Sequence, residues 1–444
     1  MLIFHRFLEW LGNRLGTVIL IPHPIAIGNC GEEIYFGLLK ARREGKKLLV
    51  ILPHSLPGRL RLKLHDNRAL LELQTAYRSR MQSGFWYEVI CWIVTMYFGF
   101  FRAISIVTTK LFGITLREQI TIPMVGQEIL WQPGGATEEF SWDVVNAYSW
   151  PMQIAKPIEI ALSDRQQHQA RILRKQIGLP EDAWFVCLHV REGGYYGDHD
   201  SAMSRNATIG NYLDAVKEIT SRGGWVVRMG DASMTRLPQM QGVIDYPFTS
   251  AKSAMMDLYL IKECRFYIGM LSGILDLALL FQKPMLVVNM CTWLLAFPPK
   301  RDDLGLFKHV YSKAEKRFLS PFEWPHMHWG GHSGFYPEDA YEFHENTPEE
   351  LRAIVIEYLD RPQDWTPSPI QLRFNEERVI GARELLAQEL HIGDVFADML
   401  TRYRLAARLE STCGFLGTAF LEQKILPDGE TCGLSHNVNS THAY

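Results

Sequence analysis

Little in this sequence marks a specialised class. Seven cysteines (Cys30, Cys91, Cys187, Cys264, Cys291, Cys413, Cys432) are scattered through 444 residues, odd in number and without a CxxC pair. That excludes a zinc ribbon and a thioredoxin-type redox site, and leaves reduced, structural thiols. Net charge is nearly absent, and −3 with a pI near 6.6 does not suit a dedicated nucleic-acid binder. Solenoid-length repeats and low-complexity tracts are missing, and 47% hydrophobic with 21% charged residues is the make-up of packed globular domains. The first residues, MLIFHRFLEWLGNRLGTVILIP, break their apolar run with charges and reach no small-residue cleavage site. A cytoplasmic protein of two or three domains is expected.

What is there centres on Trp184 to Asp231. Its opening apolar run suits a strand covered on both faces of a parallel sheet. The run stops at His189-Val190-Arg191-Glu192, and a polar loop with paired glycines and tyrosines follows. Thr208 is placed to cap a helix whose Tyr212, Leu213, Val216 and Ile219 share one face, Gly223-Gly224 ends it, and Trp225 to Met229 is a second strand. In open α/β sheets ligands bind at the carboxyl ends of strands, where His189 and Arg191 stand. Such a pair serves either a phosphate site or a structural ion pair.

Alternation continues downstream. Val243 to Tyr246, Arg265 to Gly269 and Met285 to Asn289 read as strands, and Lys252 to Glu263 and Gly273 to Phe281 as helices, which predicts a doubly wound parallel sheet. Ser272-Gly273 opens a helix directly after a strand, a position that favours an anion when it is not an ordinary cap. Upstream, Thr17 to Ile21 and LLVIL flank a helix entered through a Gly28-x-x-Gly31 turn, which lacks the GxGxxG dinucleotide spacing. Ser163 to Ile177 is helical, and Gly178-Leu179-Pro180 stops it at a domain boundary. His326, His328 and His332 read as a polar loop before a metal site. Thr347-Pro348-Glu349-Glu350 is a capping box opening a helix to Leu359, and the stretch from Cys413 is loop-like. The domains expected are 1–180, 181–360, and helices with a tail over 361–444.

One segment points to a membrane surface. Lys40 to Arg80 carries eleven Lys or Arg against three Asp or Glu, a local charge of +8. Phe85 to Phe101 then holds Glu88 as its single charge and opens a membrane-facing segment over 85–113. Spanning, lying in the interface and packing as a core helix are all open to it.

Three blocks in order sharpen the reading: FVCLHVRE, then SRNATIGNYLDAVKEITSRGGWVVRMGD, then DLYLIKECRFYIGMLSGILDLALLFQKPMLVVN. Together they resemble the C-terminal half of a bacterial glycosyltransferase family linked to surface-polysaccharide synthesis and related to the O-fucosyltransferase-like group, over roughly Gly178 to Asp360. The resemblance implies the GT-B architecture, two Rossmann-like domains with a nucleotide-sugar cleft between them. It implies transfer of a sugar from a nucleotide-sugar donor to a surface-glycan or lipid-linked acceptor, peripherally on the cytoplasmic face of the membrane. His189, Arg191, Ser272 and Gly273 would meet the donor diphosphate, and Arg228 and Asp257 would line the cleft. Arg191 would stabilise the leaving charge, so no divalent metal and no cofactor is expected, although Asp198 and Asp200 form a D-x-D by spacing. Glu192 stands where that pattern has a second Arg, which leaves the donor's identity and base open. Glu32, with Glu33 and His23, is the acid–base candidate from the first domain. A nucleotide-sugar epimerase of the same fold and a non-enzymatic polysaccharide-assembly protein are the competing readings.

Overall fold

Seven short strands, almost every residue of them withdrawn from water, form the larger sheet of the protein, whose computed structural model describes residues 8, 10–22, 27–55, 67–113, 157–194, 205–291, 298, 300–326, 340–387 and 414–423. They are β3 (Phe185–His189), β4 (Trp225–Arg228), β5 (Val243–Asp245), β6 (Tyr267–Gly269), β7 (Met285–Met290), β8 (Leu304–Phe307) and β12 (Phe415–Leu416). The order is β12-β8-β7-β6-β3-β4-β5, and every pairing is parallel. Continuous apolar runs such as Phe185 to Leu188 are what a strand covered on both faces requires. The chain moves one way from β3 to β5, then returns to the other side of β3 for β6 and moves away again. Strand order therefore reverses between β3 and β6, which are neighbours with His189 opposite Gly269.

Helices cover the sheet in two groups. α4 (Leu213–Ser221) packs with α7 (Pro348–Leu359), whereas α5 (Ala254–Glu263) and α6 (Gly273–Leu280) pack with α3 (Asp164–Gln176) and α1 (Ile27–Arg43). Capping boxes fix α3 at Ser163 and α7 at Thr347, each side chain accepting from the backbone N–H three residues on. Thr208 does not cap α4. A 3-10 turn at Ile209–Tyr212 intervenes, and the Thr208 hydroxyl donates to Glu345 at 3.0 Å. Two further features lie beyond the sequence reading. β9 (His309–Ser312), β10 (Arg317–Phe318) and β11 (Tyr341–His344) form a small antiparallel sheet. The stretch read as a loop after Cys413 supplies β12 and α9 (Thr418–Glu422), while Cys413 and 424–444 lie outside the described residues. α8 (Pro369–Ala387) completes that end of the described chain.

The first unit is smaller. β1 (Thr17–Leu20) and β2 (Lys47–Val50) pair in parallel, joined by α1. Gly28 and Gly31, expected in a turn ahead of this helix, lie inside it. The reason is tertiary: an added Cβ on Gly28 would sit 2.0 Å from the Gly273 carbonyl oxygen, and one on Gly31 would sit 2.9 Å from Leu277 Cδ2. Glycine here permits backbone-to-backbone packing of α1 on α6.

α2 (Phe85–Phe112) starts where the sequence places it and runs well past Phe101. Tyr87, Cys91, Val94 and Thr95 are buried, and Tyr87 Oη donates to the Val50 carbonyl at 2.9 Å. The opposite side leaves Phe85, Trp86, Trp92, Ile93, Met96 and Phe100 exposed. Among the described residues, no helix is long and apolar enough to cross a membrane.

Gly28→Ala puts Cβ into the α1–α6 contact, so we expect a loss of about 1–3 kcal/mol in urea unfolding. Helix propensity alone would add about 1 kcal/mol of stability. A stabilised variant would show that the two helices do not touch in solution.

Candidate functional site at the strand-order reversal

The carboxyl ends of β3 and β6 present two kinds of donor side by side. Past β3, Arg191 is buried and donates from Nη1 to Asn206 Oδ1. Asn206 is held in turn, because its carbonyl accepts from Lys308 Nζ at 2.5 Å. Burial lowers the pKa of the Lys308 ammonium, and Glu345 and then Cys291 oppose the fall. Past β6, Ser272 takes the extended geometry of a cap but makes no side-chain cap hydrogen bond, and α6 begins at Gly273. The helix start and the guanidinium thus stand on neighbouring strand ends at the topological switch point, where open α/β sheets bind ligands.

Glu32 enters the same place from α1. Packing of α1 on α6 sets its charge against Asp276, in the first turn of α6. Burial, then the negative charge of Glu32, hold the Asp276 carboxyl well above the ordinary carboxylate range, and Arg205 opposes them. A carboxyl kept neutral beside a helix start can donate to an anion instead of repelling it. Asp276, Arg205, Asn206 and Lys308 are absent from the sequence-derived set. An acidic residue in a first helical turn is ordinary, and Lys308 lies too far along the chain to be associated with Asn206 before folding.

The other expected residues gather one strand away. Arg228 is wholly buried and committed: Nη1 donates to Asp245 at 3.0 Å and Nη2 to Glu192 at 3.3 Å. The second oxygen of Glu192 accepts from the Thr235 N–H and hydroxyl at 2.8 and 2.9 Å. Arg228 therefore ties β4 to β5 and to the loop after β3. Asp257 is buried with Lys252 Nζ at 2.6 Å; burial raises its pKa and the lysine counters. His189 is buried with Nδ1 3.4 Å from the Met229 carbonyl, and burial pushes its pKa down to about 4, with Arg228 and Lys252 adding to the fall and Met229 and Asp231 opposing. Beside this group a cavity of about 470 Å³ opens between Glu192, Ala207, Leu213, Thr235 and Leu237.

Of the three histidines, His326 bridges Glu377 and Glu384 at 3.1 and 2.9 Å, whereas His328 and His332 lie outside the described residues. His23, Asp198 and Asp200 lie outside them as well. Among the described residues no group of three or more His, Cys, Asp or Glu is placed to hold a metal ion.

His189 gives a pH signature. It titrates near 6.5 when unfolded and near 4 when folded, so the unfolded chain takes the proton first as pH falls. Its stabilising contribution is full above the first value and lost by the second, about 3 kcal/mol in all. His189→Gln should flatten that acid limb in urea unfolding measured across the window. An unchanged slope would mean that His189 is not buried neutral.

No family model matches the chain, and no curated protein matches it. Two solved structures are similar over part of it. The E. coli ADP-heptose lps heptosyltransferase II is 12% identical, covering 61% of this chain and 84% of its own, with a TM-score of 0.35. A glycosyl transferase family 9 protein from Veillonella parvula is 10% identical, covering 62% and 79%, also at 0.35. Similarity at that level assigns neither fold nor activity, and the parallel sheet described above stands on its own pairing.

Proposed function

We propose that this chain is a glycosyltransferase that moves a sugar from a nucleotide-sugar donor to a surface-glycan or lipid-linked acceptor at the cytoplasmic membrane face. The observation that carries the reading is the meeting of Arg191 and the α6 start on the two strand ends where strand order reverses. Donor diphosphate bound there would take hydrogen bonds from the planar guanidinium and from the first N–H groups of α6. Charge grows on the diphosphate as the C–O bond to the sugar breaks, and donors already fixed in place stabilise that growth without reorganising. Arg191 is held by Asn206, itself held by Lys308, which keeps the guanidinium in position.

Glu32 is the acid–base group in this reading. Glu32 would accept the proton of an acceptor hydroxyl. The hydroxyl oxygen bonds to the sugar carbon, and the bonding electron pair leaves with the diphosphate. The cationic groups supply the charge that a divalent metal would, so turnover is expected to persist in chelator. The O-fucosyltransferase-like relationship and a two-domain GT-B cleft belong to the same proposal. Placement of α1 on α6 supports the cleft, because it brings a first-domain carboxylate to the second domain's anion edge.

Peripheral attachment rests on α2. Its exposed aromatic and aliphatic face suits insertion at a lipid surface, and the basic stretch before it adds attraction to anionic headgroups.

Arg191→Lys should keep the fold and lose turnover, measured with chelator present. Arg191→Ala should raise the barrier by about 2–4 kcal/mol, more through kcat than through donor affinity. A lower melting temperature with unchanged turnover per folded molecule would make Arg191 structural and remove the basis of the site. In vesicle flotation, binding to anionic vesicles should weaken with salt and fall further in Trp86→Ser/Phe100→Ser. Recovery in no lipid fraction under any salt would rule out the membrane reading.

A further inference from the structure

A second cavity, of about 550 Å³, lies where the start of α2 meets the first turns of α3 and α5. Arg68, Arg78 and Arg165 line it against two carboxylates, Glu72 and Glu88. The cations are only partly satisfied within the protein. Arg68 donates to Glu88 at 2.8 Å, and Arg165 pairs with Glu72. Arg78 spends Nη2 on the carbonyls of Leu71 and Gln82, both at 3.1 Å, while its buried Nε has no hydrogen-bond partner among the described residues. An anion in the cavity would add acceptors for the guanidinium groups that line it.

Two independent features add to this. Gly84 caps α2 with no side-chain hydrogen bond, so the first turn of a 28-residue helix points uncapped N–H groups and its positive end at the cavity rim. Phe85 and Trp86 follow at once and are 74% and 76% exposed, opening the apolar side of α2. A cationic cavity and an unpartnered aromatic face thus share one edge, the pattern that suits a ligand with a phosphate at one end and hydrocarbon at the other.

We propose that this cavity binds the terminal phosphate of a membrane lipid, the hydrocarbon chain lying along the exposed side of α2. The inference rests on the membrane reading above and deepens it: the bound phosphate would hold the protein at the lipid surface along which α2 lies. A phosphate monoester offers three oxygens to the arginine forks, whereas a phosphodiester headgroup offers two and a smaller charge. Terminal-phosphate lipids should accordingly be preferred over diester lipids at equal surface charge.

The test is flotation of the full chain with phosphatidylcholine vesicles containing either a polyprenyl phosphate or phosphatidylglycerol, matched in zeta potential. Wild type should favour the polyprenyl phosphate vesicles about tenfold or more, the effect of one charge-assisted hydrogen bond. Arg68→Gln/Arg165→Gln should lose that preference while still partitioning weakly through Phe85 and Trp86. Arg165→Gln alone, at a side chain 69% exposed, gives a partial loss should the double variant unfold. Equal binding of wild type to both vesicles, or a preference that survives both substitutions, overturns the proposal and leaves general membrane attachment standing. Absence of binding to any vesicle overturns both. Inorganic phosphate alone is the remaining arm. A rise in melting temperature with phosphate that disappears in Arg68→Gln/Arg165→Gln, without any vesicle preference, would assign the cavity to free phosphate and reject the lipid.

Discussion

The close approach of α1 to α6 is the contact on which the rest of the arrangement depends. Two helices can bring backbone against backbone only where neither carries a side chain at the crossing, and Gly28 meets Gly273 there. Docked in this way, α1 delivers Glu32 to Asp276 and sets the first unit over the edge where strand order reverses. Gly273 then has two roles, since it opens α6 at the proposed phosphate site and accepts the α1 backbone. A side chain at Gly28 would press on the Gly273 backbone, whereas a Cβ on Gly273 would meet Gly28 Cα at 3.5 Å, an ordinary contact.

Buried charge is managed around that edge by commitment. Arg228 holds Asp245 and Glu192, Lys252 holds Asp257, and His309 Nε2 pairs with Glu350 at 2.9 Å. Each such pair is expensive to desolvate and expensive to break. They contribute geometry, fixing loops whose own backbone makes few ladder bonds. Asn289 and Asn346 do the same without charge, each backbone N–H donating to the other's side-chain carbonyl at 2.8 and 2.7 Å. Asn289 takes φ 51°, a left-handed conformation Asn tolerates, and turns the end of β7 toward α7.

α2 shows how a single helix can be half core and half surface. Its buried side is anchored by Tyr87 on the β2 backbone and by Thr95, which accepts from the His54 N–H at 2.7 Å. Among the described side chains of α2, none beyond Gly99 is buried, and Phe100, Val107, Leu111 and Phe112 are exposed. Exposed aromatics on this scale are costly in water and favourable at a headgroup boundary.

Much of the second unit was legible in the sequence. Apolar runs of strand length, the Thr347 capping box, the Ser163 to Ile177 helix and the Gly223-Gly224 stop are local statements, and local sterics and hydrogen bonding answer them. The position of Arg191 at the end of β3 followed from the same pattern. What the sequence left undecided depends on partners distant along the chain. Gly28 and Gly31 look like turn glycines until α6 is placed against them, and the partners of Arg228, Asp245 and Glu192, are chosen only when β4, β5 and the loop after β3 come together. Asp276 becomes unusual only once it is buried and Glu32 of α1 is brought near it. Periodicity and capping are set within a few residues and can be read directly, whereas close approach and burial of charge arise between elements and exist only once the chain has packed.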